Sequence, residues 1–341
     1  MKKKTLQGMT FLAGVLFVPI VVSESAASNL KEPTYWGVQI ENDLFGSGDD
    51  RFYTNGLQIN RMQRHTPPLW LESWVEGLPF FIKGEIKGGG YSLGQKMFTP
   101  EDVASEALVK NDRPYAGWLY WSSSVASLIK NTPNQREINA FELTFGVVGP
   151  SSQAGYVQNE FHKLIGSEIS NGWKNQLKDE LGVVATYVRK SEYFSALDNR
   201  LEYSWSPHRV IALGNVYTYA GVGMMFRFGQ HLRNDIGPPN ISPGFPGTSF
   251  FSAAKDGKGW YVFGGVEGRA MLQNIFLDGN TFQESHRVDK ERFVLDFQYG
   301  IAYQHRNVRV SFSNVMRSKE FEQQQDNAAF GAINVSFFLN H

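Results

Sequence analysis

The stretch that decides the fold is the last one, Ala329-Phe330-Gly331-Ala332-Ile333-Asn334-Val335-Ser336-Phe337-Phe338-Leu339. Every second residue from Ala329 to Leu339 is apolar or glycine, whereas the positions between them include Asn334 and Ser336. Successive side chains of a strand point to opposite faces, so this alternation predicts a β-strand with one apolar face. The pattern persists for about ten residues, which is the length that a tilted strand needs to cross a bilayer.

The same alternation recurs along the chain, for example where Phe293, Leu295 and Phe297 alternate with Asp296 and Gln298. In a soluble sandwich the outer face is rich in lysine and glutamate, but here the second face holds mainly Gln, Ser, Asn, Gly and Tyr. We therefore predict an all-β fold, a closed antiparallel transmembrane β-barrel of about twelve strands with a polar, filled lumen. The predicted strands lie near residues 35–43, 51–62, 90–97, 115–128, 136–148, 182–194, 199–214, 215–228, 259–276, 289–304, 306–317 and 327–339.

The N-terminal residues predict export. Lys2, Lys3 and Lys4 precede an apolar stretch at 11–22, and small residues follow at 25–27. This is the pattern of a signal peptide over about residues 1–27, so we assign 28–341 to one barrel domain. The chain has no cysteine and a formal net charge of 0, so we expect no disulfide and no nucleic-acid partner. We expect an integral protein of a Gram-negative outer membrane.

The segments between the predicted strands alternate in length. Residues 131–134 and 305–307 are short, as periplasmic turns are. The longer segments are richer in Gly and Pro, and we expect them to be outward loops. These segments are 63–89, 98–114, 150–181, 229–258 and 277–288.

One of the long segments, at about 150–181, contains a helical pattern between Val157 and Glu168. Its apolar stripe consists of Val157, Phe161, Leu164 and Ile165. Gln158 and His162 are four residues apart and share a neighbouring face, and Gly166 favours the end of the helix. A connection between strands needs only a few residues, so a helix with a histidine inserted here predicts a function.

The predicted topology gathers polar residues at one rim beside this helix. Asn42 and Asp43 end the first strand, Thr54 begins the second, and His162 lies in the inserted helix. A carboxylate with neighbouring oxygen donors suits Ca²⁺, and a histidine facing it can deprotonate a water molecule. These parts suit ester hydrolysis without a serine nucleophile, and the chain has no Gly-x-Ser-x-Gly elbow.

Each of these residues also has a structural interpretation. An isolated histidine is more often packed or solvated than catalytic. Asn-Asp is equally the sequence of an ordinary strand-end turn, and Thr54 suits a strand by propensity. The alternation of the first strand raises a further question, because Trp36, Val38 and Ile40 would place Asn42 on the outward face. Either a bulge near Glu41 resets the register, or Asp43 alone faces the lumen.

Taken together, these residues resemble the motif set of the lipid A 3′-O-deacylase family of outer-membrane enzymes. The motifs are Glu41-Asn42-Asp43, Tyr53-Thr54-x-Gly56, Asn111-Asp112-Arg113, Gly149-Pro150 and Val157-Gln158-Asn159-x-x-His162-x-x-Ile165-Gly166. The resemblance implies a twelve-stranded barrel whose active site lies between the wall and an extracellular-loop helix. It also implies a Ca²⁺-dependent, phospholipase A2-like hydrolysis that removes the 3′-acyloxyacyl group of lipid A.

The resemblance also assigns roles to residues. His162 would activate water. Asp43 would bind Ca²⁺ together with Thr54 and Gly56, and Asn42 would shape the same pocket. Around them, Gln158, Glu168, Lys110 and Arg113 would support the site or contact the substrate, with Lys110 the nearest match to a family lysine. Asp112-Arg113 alone is better explained as a loop clamp or an ion pair than as a catalytic dyad.

The implied partners are lipopolysaccharide and the surrounding outer-membrane lipids, and the sequence gives no sign of an obligate protein partner. Two other functions stay open at this point. A phospholipase of the same membrane is the closer one, and a pore or binding barrel without chemistry is the other. A twelve-stranded barrel has a narrow lumen, which argues against a wide channel.

Overall fold

The computed structural model describes residues 33–45, 52–79, 81, 84–238, 241 and 257–339, without the side chains of residues 44, 52–54, 86–87 and 165. The predicted signal peptide, residues 1–27, lies outside the described residues. Twelve antiparallel strands pair in chain order, and β1 pairs with β12 to close the barrel. They are β1 (Thr34–Asn42), β2 (Phe52–Gln63), β3 (Glu85–Thr99), β4 (Ala116–Thr132), β5 (Gln135–Val148), β6 (Glu180–Ala196), β7 (Glu202–Gly214), β8 (Tyr217–Gly229), β9 (Lys258–Asn274), β10 (Phe293–His305), β11 (Val308–Arg317) and β12 (Ala328–Leu339).

The helices lie in the connections. In the described part of the chain the α-helices are α1 (Leu69–Glu76), α2 (Ala154–Ile165) and α3 (Ile275–Asp278). Short 3-10 helices occur at Asp43–Phe45, Pro150–Ser152, Gly172–Asn175 and Leu232–Asn234. Among the described residues, no helix combines the length and the hydropathy that crossing a membrane would require.

The two faces of the wall differ as the alternation predicted. In β10 the side chains of Phe293, Leu295 and Phe297 are exposed on the outside of the barrel, whereas Asp296 and Gln298 are buried inside. The twelve predicted strands and the closed barrel are confirmed. The alternation is a local property of each segment, and this is why the sequence could predict it.

Strand direction divides the connections between two ends of the barrel. We call the end that carries the connections after odd-numbered strands the upper rim; it includes residues 149–179 with α2. The lower rim carries the connections after even-numbered strands, including the short turns at 133–134 and 306–307. The prediction that all five long segments share one rim is therefore wrong. Segments 98–114, 150–181 and 277–288 lie at the upper rim, but 63–89 and 229–258 lie at the lower rim.

The two lower-rim segments are long for structural reasons. The first contains α1 and packs against the outer surface of the barrel. In the second, the described residues 230–238 and 241 turn into the lumen, where Ile241 joins a hydrophobic cluster that includes Trp118 and Phe276. Length and Gly/Pro content do not distinguish an outward loop from a segment that folds back onto or into the barrel.

The lumen is filled by paired charges. In its lower half, Arg309 donates to Asp235 at 2.6 Å and Arg227 donates to Glu192 at 3.1 Å. In its upper half, ion pairs link Glu267, Arg269, Asp296, Arg317 and Glu320 in a continuous chain. Buried charges are tolerated when they are paired in this way. The chain of ion pairs and the inserted segment occupy the space that a water-filled pore would need.

Candidate active site on the outer wall

The register of β1 places Asn42 on the outside of the barrel. Its pairing is unbroken from Thr34 to Asn42 with both neighbouring strands, so no bulge interrupts it at Glu41. Glu41 then faces the lumen and Asn42 faces outward. The expected bulge at Glu41 is therefore not observed. The other alternative, that Asp43 alone faces the lumen, stays a prediction.

Asn42 belongs to a row of cross-strand neighbours at the upper rim, which we call the outer-wall row. Successive pairings join Asn314, Gly331, Asn42, Asn55, Met97 and Gly117. An outward-facing row in a transmembrane barrel is normally apolar. Three asparagines and two glycines in this row therefore indicate a surface that other parts of the chain or a ligand must cover.

The turn Asp43–Phe45 covers one end of the outer-wall row. A Cβ at Gly331 would lie 2.5 Å from the Cβ of Phe45, so glycine is needed for this close approach. The Asn314 side chain donates to the Phe45 carbonyl at 3.4 Å. This turn leaves both Asn42 and Asp43 buried.

The helix α2 covers the other end of the row. A Cβ at Gly117 would lie 2.1 Å from Ser152 Oγ and 2.3 Å from Ala154 Cβ, so the start of the helix contacts the strand backbone. Gln95, another outward residue, donates to the Ser152 carbonyl at 2.6 Å. Met97 packs with Ala154 beneath the helix. The helix therefore lies against the exterior of β3 and β4.

A surface helix normally packs its apolar side chains against the protein, but α2 packs its polar side chains against the barrel. Its polar residues Gln158 and His162 are buried, whereas Val157, Phe161 and Leu164 are 41%, 42% and 83% exposed. Burying a polar face is costly unless its groups are hydrogen-bonded. An apolar stripe on the free side suits a helix whose surroundings are lipid rather than water.

The His162 ring is held by the backbone that follows the helix. Its Nδ1 contacts the carbonyl oxygen of Glu168, which can only accept a hydrogen bond. Nδ1 therefore carries the proton, and Nε2 of the neutral ring is the basic nitrogen. Gly166 in the left-handed conformation makes this geometry possible by turning the chain back along the helix. Glu168 acts here through its backbone, and its side chain is exposed.

Further hydrogen bonds fix α2 to the returning chain. Trp173 Nε1 donates to Gln158 Oε1 at 2.7 Å, and Asn159 exchanges two hydrogen bonds with the backbone of Ser170. The second amide atom of Gln158, Nε2, is buried without a hydrogen-bond partner. A buried donor without a partner is costly, and a water molecule or a bound ligand would satisfy it.

Thr54 and Gly56 lie in β2 beside Asn55. The β2–β3 pairing passes from Tyr53–Phe98 to Asn55–Met97, so Thr54 forms a bulge. The side chain of Thr54 lies outside the described residues. Gly56 pairs with Glu41 and Lys96, which are on the lumen side of the wall. A bulge frees backbone groups from the ladder and is common next to active sites.

A metal ion bound beside Asp43 would have few charged side chains as ligands. Among the described residues, no three His, Cys, Asp or Glu side chains gather as a metal site. The buried carboxylate of Asp43, the amide of Asn42 and the bulged backbone at Thr54 are oxygen donors that fit a hard cation such as Ca²⁺. Neutral oxygens would have to supply most of its ligands.

The other predicted residues lie elsewhere. Lys110 is exposed in the connection after β3. Arg113 is buried, donates to Glu320 at 3.4 Å and stacks over the Phe98 ring. Asp112 accepts hydrogen bonds from the backbone of Glu101 and Arg113, so this pair is a loop clamp. The structure does not bring Lys110 or Arg113 into contact with α2.

Sequence reasoning missed several residues that shape the site. Asn55 is the unspecified position of the Tyr-Thr-x-Gly motif, and only the register shows that it neighbours Asn42. Trp173 follows the helix with no periodic pattern that would connect it to Gln158. Lys96 is buried on the inner face behind Asn55 and interacts with the charge of Glu41. Its position in an alternating strand could have predicted an inward lysine.

Comparisons with known proteins identify the family. The family described as outer membrane protein LpxR matches residues 11–339. LpxR from Salmonella typhimurium is 22% identical with a TM-score of 0.70, covering 89% of this chain and 100% of that chain. The β-domain of the Bordetella autotransporter BrkA is 7% identical with a TM-score of 0.43, covering 90% of this chain and 98% of that chain. A search of curated proteins found no match.

The family match covers nearly the whole chain, and the Salmonella barrel shares its fold. Both findings confirm the resemblance that was drawn from the motifs. They also confirm an integral outer-membrane location for the barrel. The chain belongs to the LpxR family of outer-membrane proteins.

Proposed function

We propose that this protein hydrolyses the ester that carries the 3′-acyloxyacyl group of lipid A. The observation that carries the proposal is the buried polar face of α2, with His162 oriented by the Glu168 carbonyl, on the outside of the barrel. A catalytic site on the exterior wall opens toward the bilayer. A lipid could reach it by lateral diffusion without entering the lumen.

Two further observations support a lipid substrate. The free side of α2 exposes Val157, Phe161 and Leu164, which can contact acyl chains. In the outer-wall row, the half-buried Asn55 lies beside the buried Asn42, and the amide of Asn55 can orient the polar part of a lipid. In this proposal the upper rim faces the cell exterior, where lipopolysaccharide forms the outer leaflet. The partners are then lipopolysaccharide and other outer-membrane lipids.

In the proposed mechanism, Nε2 of His162 takes a proton from a water molecule while the oxygen of that water attacks the ester carbonyl carbon. The resulting tetrahedral oxyanion collapses and breaks the bond to the 3′-oxygen. The imidazolium then returns its proton to that oxygen. The products are a free acyloxyacyl carboxylic acid and a 3′-hydroxyl group on the sugar. The Glu168 carbonyl stabilises the imidazolium through Nδ1–H.

We propose a Ca²⁺ ion as the cofactor, held by Asp43 with Thr54 and Gly56, while Asn42 shapes the same pocket. When bound, Ca²⁺ would polarise the ester carbonyl and stabilise the negative charge that develops on its oxygen. Asp43 would supply the only carboxylate among these ligands. A site with so few charges predicts weak binding that a chelator can reverse.

Replacement of His162 by Ala tests the proposal. We expect the rate of 3′-deacylation to fall by about 10²–10⁴-fold, because general-base catalysis is lost. The measurement is mass spectrometry of lipid A from cells that produce the variant. His305→Ala is the matched control, since His305 is exposed at the lower rim. Unchanged lipid A deacylation in His162→Ala would reject His162 as the base.

A phospholipase of the same membrane is the closest alternative, and a pore or binding barrel without chemistry is the other. Purified protein in mixed micelles should be offered lipid A and a glycerophospholipid separately, each with and without a calcium chelator. Chelator-sensitive release of fatty acid from the glycerophospholipid alone would favour the phospholipase. Large steady conductance in a planar bilayer would favour the pore, against the filled lumen described above.

A further inference from the structure

The helix α1 lies on the outside of the barrel near the lower rim. Its residues Leu71 and Val75 are buried against Val125 of β4 and Phe141 of β5. Val125 pairs with Phe141, and both share the outward face with Trp121 and Phe145. A segment that connects two strands at one rim has therefore folded back along the exterior wall.

Near α1, the outer wall contains polar side chains that are buried. Ser127 and Asn139 are cross-strand neighbours on the outward face, yet both are fully buried. The Tyr187 hydroxyl donates to Asn139 Oδ1 at 2.9 Å. Polar residues at outward positions would be costly against lipid, and their burial next to Val125 and Phe141 indicates that lipid does not reach this part of the wall.

The chain that leads into α1 also approaches the wall closely. A Cβ at Gly89 of β3 would lie 3.0 Å from Pro67 and 3.1 Å from Pro68. These two prolines are buried and immediately precede the helix. The fixed φ of proline restricts the conformations open to the chain at this point, which favours a defined position for α1.

Along the barrel axis, α1 lies at the edge of the band of apolar side chains on the outer wall. Above it, Trp121 stacks with Tyr91 at 5.5 Å and with Phe145 at 6.4 Å on the exposed wall. Below it, Glu137 and Arg189 form an outward ion pair at 2.7 Å. Aromatic rings above and charges below are the arrangement found where a membrane-spanning barrel passes from hydrocarbon to headgroups.

The free side of α1 exposes a leucine and two tryptophans beside the polar Ser73 and Glu76. Leu69, Trp70 and Trp74 are 77%, 47% and 50% exposed. Trp70 stacks with Trp121 at 6.5 Å and thereby continues the aromatic band of the wall. Tryptophan is enriched at membrane interfaces, because its ring is apolar and its N–H can reach polar partners.

We propose that α1 is a membrane-docking helix that places Leu69, Trp70 and Trp74 in the headgroup boundary of the leaflet at the lower rim. Lipid covers the exposed side of α1, because this side is continuous with the lipid-facing wall through Trp70 and Trp121. The helix widens the contact of the barrel with one leaflet on the side of β4–β6 and fixes the depth of the barrel there. This role is independent of the proposed hydrolysis.

Spin labelling tests the proposal, because the chain has no cysteine and each introduced cysteine is unique. Leu69→Cys is labelled in the full chain and reconstituted into vesicles of phosphatidylethanolamine and phosphatidylglycerol. Oxygen and a water-soluble nickel complex are then used as relaxation agents. Matched controls are Asn131→Cys at the exposed lower-rim end of β4 and Val266→Cys on the lipid-facing wall.

We expect the ratio of oxygen to nickel accessibility at Leu69 to be several-fold above that at Asn131 and nearer to that at Val266. Adding Trp70→Ser and Trp74→Ser should move the Leu69 label toward water. A ratio equal to that at Asn131 would overturn the proposal. Disulfide cross-linking of two Leu69→Cys chains in vesicles would also overturn it, because a second copy would then be the occupant.

Discussion

Two helices dock on the outer wall of this barrel, and they do so with opposite faces. The lower-rim helix α1 buries apolar Leu71 and Val75, as a helix that serves packing does. The upper-rim helix α2 buries polar Gln158 and His162 and leaves an apolar stripe exposed. The difference supports α2 as the helix of the proposed active site, because a buried polar face reduces stability unless the chemistry of a site requires it.

The largest effect is expected from Leu71→Ala in α1. Leu71 is fully buried, and removing its side chain leaves a cavity, which typically costs about 2–5 kcal/mol. We expect easier unfolding in urea, measured by the mobility of the folded barrel in gel electrophoresis. Lipid A hydrolysis per folded molecule should not change. A Leu71→Ala variant that folds but no longer hydrolyses lipid A would contradict the assignment of packing to α1 and chemistry to α2.

The next effect is expected from Gly117→Val beneath α2. The new Cβ would overlap Ser152 and Ala154, so the helix must move away from the wall. A displacement of about 1 Å can reduce catalysis by about 10²-fold, and we expect at least this loss in deacylation. Gly268→Val is the matched control, because a Cβ at Gly268 meets nothing within 4 Å. Equal activities of the two variants would show that the position of α2 does not matter.

A smaller effect is expected from Trp173→Phe. The substitution keeps an aromatic ring but removes the hydrogen bond to Gln158, a contribution of about 1 kcal/mol. We expect kcat for deacylation to fall about fivefold with little change in the stability of the barrel. Trp205→Phe on the exposed wall provides the control. A loss of stability without a loss of kcat would assign Trp173 to packing alone.

The smallest effect is expected from Leu164→Ser on the free side of α2. Leu164 is 83% exposed, and such substitutions usually change stability by less than about 0.5 kcal/mol. In detergent we expect an unfolding transition in urea close to that of the unchanged protein. A strong destabilisation in urea would show that this side of the helix is covered, which contradicts the inverted orientation.

The prediction of the strands succeeded where the signal was local. In β10 and β12 the alternation of side chains assigns each residue to one face without any knowledge of the neighbouring strands. The helix α2 and its end at Gly166 were equally predictable, because periodicity and a left-handed glycine are local signals. The residues Asn42, Gln158 and His162 could be selected from the motifs in the same way.

The side of the wall on which the site lies could not be predicted in this manner. The outward position of Asn42 left two alternatives open in the sequence, a bulge near Glu41 or a lumen-facing Asp43 alone. The register then joined Asn42 to Asn55 and Met97 on the exterior, with α2 over the same row. Cross-strand neighbours come from segments distant in sequence, so only pairing decides them.

The sequence by itself determined the number of strands, the two faces of each strand and the presence of a polar helix face with His162. These properties depend on residues within a few positions of one another. Only the tertiary structure decided that α1 and α2 lie outside the barrel and that residues 230–238 and Ile241 enter it. Those placements depend on which surfaces the connections cover, and long-range packing rather than local periodicity determines them.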